Sequence, residues 1–165
     1  MLAIGSAYAA SPQTANLNVT AAVAANCTIA TAPVAFGNYD PVVTNASTAL
    51  TAAGSVTIAC TKGSAPAITL GLGAQPSGTI RRMLGGGDFL SYELYQPSTT
   101  APDAASTCSY VAPTVWGTTA AQTFTPTSPS NVTARAYKVC GSVPAAQNVT
   151  VAASYADVVV ASVNF

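Results

Sequence analysis

Short runs in which apolar and polar residues alternate follow one another along the chain, separated by Gly, Pro, Ser, Thr and Asn. Residues 55–60, 67–72, 89–95, 134–139 and 149–153 carry the pattern most clearly. Alternation of that period puts every second side chain on one face of a strand. Strands this short and this frequent predict an all-β sandwich or barrel. No window joins helical periodicity to good caps. Alanine-rich 21–25 tolerates a helix, but its place between Val19 and Cys27 predicts strand. Residues 97–113 and 126–131 read as surface loops, the first pinned by Cys108, and Gly85-Gly86-Gly87-Asp88 reads as a flexible turn. No repeat or linker divides the 165 residues, which fits one domain at about 100–200 residues each.

The two ends carry the most information. From Ser154 to Phe165, Val158, Val160 and Ser162 fall on one face and Val159, Ala161, Val163 and Phe165 on the other. This predicts a strand running to the last residue and covered on at least one side, with nothing after it to supply the cover. Near the opposite end, Leu17, Val19, Ala21 and Val23 alternate in the same way, with Asn16, Asn18, Thr20 and Ala22 between them. Such a strand could cover the first in a neighbouring copy. Before it, residues 1–9 resemble the end of a secretory signal, a short apolar run followed by Ala7-x-Ala9, but without a basic start. The expected division is a signal remnant at 1–9, a donor segment at 10–24 and one domain at 25–165.

Composition narrows the function. Five basic and five acidic residues give zero formal charge, leaving no electrostatic footprint for nucleic acid. Charged residues make up 6% of the chain, against about 25–35% of a typical soluble surface. Such a protein tolerates self-association. Cys27, Cys60, Cys108 and Cys140 lack CxxC spacing, and the chain has no histidine, so zinc and thiol redox chemistry are poorly supported. An even count behind an export signal points to two disulfides in an oxidising compartment. Of three possible pairings, nearness along the chain favours Cys27 with Cys60 and Cys108 with Cys140.

The absence of histidine also removes the commonest general base. Asp40, Asp88, Glu93, Asp103 and Asp157 are scattered without a pairing motif, and no nucleophile elbow or phosphate loop occurs. No catalytic residue, cofactor site or metal site is expected. Arg81 and Arg82 read as a solvated turn pairing with Asp88 or Glu93. Tyr92, Tyr95, Trp116 and Tyr137 read as core and sheet-face packing rather than a sugar-stacking surface.

Several pieces together resemble the spore coat protein U family, whose members include subunits of archaic chaperone-usher pili. They are Ala25-Asn26-Cys27-Thr28-Ile29, Phe36-Gly37-Asn38-Tyr39-Asp40, Val56-Thr57-Ile58-Ala59-Cys60-Thr61-Lys62-Gly63, Arg81-Arg82-Met83, Leu90-Ser91-Tyr92-Glu93-Leu94-Tyr95, Trp116-Gly117, Gly141-Ser142-Val143-Pro144-Ala145-Ala146-Gln147 and the closing Tyr155-x-Asp157. They recur in family order. The chain departs from the pattern at Ala153, where the family usually has Gly, and at Cys140, where it often has an aromatic. The Cys27–Cys60 bridge looks like the family's own, and Cys108–Cys140 looks like an added pair.

The resemblance implies an incomplete immunoglobulin-like β-sandwich, completed by a donor strand from the neighbouring subunit. Leu17, Val19, Ala21 and Val23 would be the donor positions, and Val158, Val160, Ser162, Val163 and Phe165 the edge of the acceptor groove. It further implies a secreted shaft subunit of an adhesive, biofilm-forming pilus on the cell surface. Its partners would be identical subunits, a periplasmic chaperone, an outer-membrane usher and a tip subunit. The main alternative is a spore or cell-surface coat protein that associates laterally. A small outer-membrane barrel is opposed by eleven prolines and few aromatics. An enzyme or monomeric carbohydrate-binding module comes last.

Overall fold

The computed structural model describes residues 1–2, 4–5 and 12–165, so the Ala7-x-Ala9 pattern lies outside the described residues. Within them the strands are β1 (Cys27–Ala32), β2 (Leu50–Cys60), β3 (Ala67–Leu70), β4 (Arg81–Gly85), β5 (Asp88–Tyr95), β6 (Arg135–Val143) and β7 (Ala161–Asn164). All pair antiparallel. The larger sheet has the order β1-β2-β6-β5-β4, and β3 pairs with β7 in a second. A bridge between Leu84 and Ala156 joins β4 to the chain just before β7, so the large sheet curls onto the C-terminal segment.

Alternation decides which faces meet. Val56, Ile58 and Cys60 of β2, Leu90, Tyr92 and Leu94 of β5, and Tyr137, Val139 and Val143 of β6 are all buried, as are Ile68 and Leu70 of β3. Trp116 and Phe124, from the long connection between β5 and β6, complete this core. Their rings lie 5.1 Å apart, with Tyr137 a further 5.3 Å from Phe124. Full burial of each large apolar side chain contributes roughly 1.5–3 kcal/mol, so this interior dominates the stability of the domain. Gly86 and Gly87 close the β4–β5 hairpin with φ of 57° and 88°, the double positive φ of a tight turn.

Several expectations are corrected. Residues 149–153 form no strand, and β4, whose two arginines disguise an inward Arg81 and Met83, is a strand the alternation did not single out. Arg81 is also not solvated; it is fully buried. At the N-terminal end, residues 12–26 form no strand in the single chain.

Candidate functional site

The sandwich is open along one side. Residues 31–42 form one wall and residues 148–161 the other, and between them run two adjoining cavities of about 340 and 770 Å³. Val34, Phe36, Met83 and Tyr155 line both. The floor under the first is Val56, Leu70, Leu94 and Val139, and under the second Leu50, Leu90 and Val143. Core side chains therefore form the floor of a groove whose walls mix polar and apolar groups.

Glycines set the first wall. A Cβ on Gly54 would lie 2.6 Å from the Ala32 carbonyl oxygen, and one on Gly141 would lie 2.6 Å from Val34 and 2.7 Å from Phe36. The absence of side chains at these neighbouring β2 and β6 positions lets residues 32–36 leave the edge of the large sheet and cross its face.

Both walls present unpaired backbone. Ile68 exchanges hydrogen bonds with Phe124 (2.8 and 2.9 Å), whereas Gly71 donates to Val160 (2.9 Å). Ile68 stands opposite Val163 and Leu70 opposite Ala161. The alternation of an antiparallel ladder then turns the N–H and C=O of Val159, Ala161 and Val163 toward the groove. On the facing side Thr61 donates to Asn26 (2.9 Å), so by the same rule Ile29 and Thr31 direct theirs outward from β1. Among the described residues, the backbone of 33–39 makes no backbone–backbone hydrogen bond. A sheet edge of this kind is a template for strand addition.

The second wall is fixed by side chains. Asp157 Oδ2 accepts from the Tyr92 hydroxyl (2.6 Å), and Oδ1 accepts from the N–H groups of Ala74 (2.7 Å) and Val158 (2.8 Å). Burial, then the Asp157 carboxylate, pushes the Tyr92 phenol far above its usual range. The Tyr155 hydroxyl donates to Thr150 (2.6 Å). Arg81 ties the base of the groove together. Its Nε donates to Gly71 (2.9 Å), Nη2 to Leu70 (3.1 Å) and Trp116 (2.6 Å), and Nη1 to the Glu93 carboxylate. Sequence alone named Glu93 as a partner but missed the burial; the signal was Arg81 standing two residues before Met83 on one face of a strand.

The predicted site residues fall in three places. Leu17, Val19 and Val23 are 85–87% exposed, and Ala21 is exposed with them. Along the second wall, Tyr155, Asp157, Val159, Ala161 and Val163 turn inward. Val158, Val160 and Ser162 point outward to solvent, so their side chains do not line the groove, and Phe165 lies exposed beyond β7. The four cysteines form Cys27–Cys60 and Cys108–Cys140, with Cα separations of 4.1 and 5.6 Å. Trp116, Tyr92 and Tyr137 are core residues, as their packing reading predicts. Among the described residues no cluster of His, Cys, Asp or Glu is arranged to hold a metal.

Comparison with known proteins agrees with this geometry. The sequence pattern of the Spore Coat Protein U domain matches residues 13–162. Protein U of Myxococcus xanthus is 35% identical over 170 positions, covering 94% of this chain and 87% of that protein. A chain in the CsuC-CsuE chaperone-tip adhesion subunit pre-assembly complex, from archaic chaperone-usher Csu pili of Acinetobacter baumannii, superposes with a TM-score of 0.55 at 19% identity. The superposition covers 87% of this chain and 40% of that one, so this chain spans less than half of that neighbour. At such identity the likeness speaks to fold, and it makes the open sandwich an all-β, immunoglobulin-like one. With the motifs in family order and a pattern match over nearly its whole length, the chain belongs to the spore coat protein U family.

Proposed function

We propose that this chain is a structural, non-enzymatic subunit of an archaic chaperone-usher pilus, and that it polymerises by donor-strand complementation. The observation that carries the reading is a pair of complementary defects in one chain. A groove floored by apolar side chains and flanked by two unpaired backbone edges stands open, while Leu17, Val19 and Val23 alternate on an exposed segment with no strand partner of its own. Residues 17–23 of one copy fill the groove of the next. Donor and acceptor lie on different surfaces, so the contact is head to tail and the product is an open filament. Each apolar donor side chain adds roughly 1.5–3 kcal/mol on burial, before the ordering of the segment is subtracted.

Several finer features accompany this reading. The chain is a shaft subunit, since it carries both donor and acceptor in a single domain. Two disulfides suit passage through an oxidising periplasm, where a chaperone occupies the groove before an outer-membrane usher hands the subunit to the fibre. The fibre ends on a tip subunit and serves adhesion and biofilm formation at the cell surface. Of the acceptor-edge positions read from the sequence, Val163 offers the groove both its inward side chain and its backbone, whereas Val160 and Ser162 direct their backbone toward β3 and act only by holding the edge in register.

Gel electrophoresis of unheated and heated periplasmic protein tests the mechanism, using the intact chain and a deletion of residues 11–24, each made with its neighbouring chaperone and usher. A heat-sensitive ladder from the intact chain alone is expected; identical ladders from both would end the donor-strand reading. A second reading, lateral association in a coat, is favoured by one observation. Leu84, Phe89, Val158 and Val160 are exposed on the outer side of the sandwich, 38–75% accessible. Flat sheets rather than fibres in electron micrographs would select it.

A further inference from the structure

Resting on the donor-strand reading, we propose that Thr61 is a positioning residue that holds the donor segment away from its own groove, so that the chain polymerises instead of capping itself. Thr61 follows Cys60 at the end of β2 and grips the root of the donor from three directions. Its backbone N–H donates to Asn26 (2.9 Å), and its hydroxyl oxygen accepts from the Asn26 N–H (3.1 Å). The hydroxyl hydrogen faces the carbonyls of Ala24 (3.3 Å) and Asn26 (3.4 Å). Its own carbonyl is engaged by the N–H and hydroxyl of Ser64, which fixes the turn carrying it. The Cys27–Cys60 disulfide anchors the same point covalently.

The direction of this grip is what matters. β1 runs from Cys27 to Ala32, and the groove begins at its far end, at Thr31. Residues 24–26 continue the line of β1 backwards past Thr61, away from the groove. Without the grip, a reversal at 24–26 would lay residues 17–23 antiparallel along the free outer edge of β1. From Cys27 to Thr31 is about 13 Å of strand, whereas the ten residues 17–26 reach up to about 35 Å. Self-capping therefore lies within reach of the chain, and it is intramolecular, with the high effective concentration of a short tether. The hydroxyl of Thr61 opposes it at the residues where the turn would form.

The test compares the wild-type chain with Thr61→Val, Thr61→Ala and Thr61→Ser after purification and refolding with both disulfides intact. Loss of one net hydrogen bond corresponds to roughly a fivefold change in a population ratio. The monomer fraction of the Val and Ala variants is expected to rise about that much on size-exclusion chromatography. Amides of residues 17–23 should become protected from hydrogen exchange within that monomer, and the Ser variant should behave as wild type. Val and Ala variants that melt and assemble like wild type, with unprotected donor amides, would overturn the proposal. A synthetic peptide of residues 12–24 separates this failure from a deeper one. If it binds the deletion of residues 11–24 the groove is an acceptor whatever Thr61 does; if it binds neither that deletion nor any full chain, the donor-strand reading itself falls.

Discussion

At the scale of single residues, the groove depends on polar groups in an apolar interior. Arg81 is fully buried and gives hydrogen bonds to three carbonyls and to Glu93, joining β3, β4, β5 and the Trp116 segment. Removing it leaves Glu93 and those carbonyls without their partner. Arg81→Ala is expected to lower unfolding free energy by about 3–5 kcal/mol in a denaturant titration. Tyr92 gives a pH signature. Its phenol is raised in the folded chain by burial and by Asp157, so its stabilising effect is complete below the ordinary tyrosine value of 10.0 and is lost as pH rises further. Above that pH the unfolded chain ionises first, and the melting temperature should fall; in Tyr92→Phe that part of the fall should be absent. Asp88 shows the opposite sign. Its carboxyl is held below the usual range by the hydroxyl and then the N–H of Thr150, so its contribution fades as pH drops below 3.8.

Among the elements, β6 shows how a strand edge left open by its neighbour is covered. β5 pairs with it only from Ser142 to Cys140, leaving its first half uncovered on that side. Loop 97–113 fills the place. Asp103 Oδ1 accepts from the Ala136 N–H (3.0 Å), Ser106 Oγ accepts from the Lys138 N–H (2.8 Å), and Cys108 bonds to Cys140. Replacing both Cys108 and Cys140 by Ser should lower stability by roughly 3 kcal/mol. Faster hydrogen exchange at Ala136 and Lys138, with the groove amides unaffected, would be its local signature. Residues 33–39 contrast with this, since among the described residues their backbone makes no backbone–backbone hydrogen bond and no loop covers it in the same way.

For the whole molecule, the proposed assembly sets donor and acceptor between copies, so on that reading a change can abolish assembly without touching the fold. Leu17→Asp falls on a side chain 87% exposed in the single chain. Its melting curve should stay within about 0.5 kcal/mol of wild type, while the heat-sensitive ladder shortens to monomer. A parallel loss of stability would place Leu17 inside its own domain instead. Much of this was legible in the sequence: alternation marked β2, β3, β5, β6 and the C-terminal segment, and cysteine spacing favoured the two bridges that form. Sequence alone also set the apolar face at 17–23, because periodicity is local and survives without a partner. What it could not decide was which face of residues 154–165 turns inward, since both faces are apolar and only the pairing of Gly71 with Val160 and Leu84 with Ala156 settles it. Nor could it reveal a buried Arg81, or a groove walled by residues more than a hundred positions apart. Those are properties of packing: charge is tolerated inside only when distant carbonyls converge on it, and an opening exists only once the walls on either side have been placed.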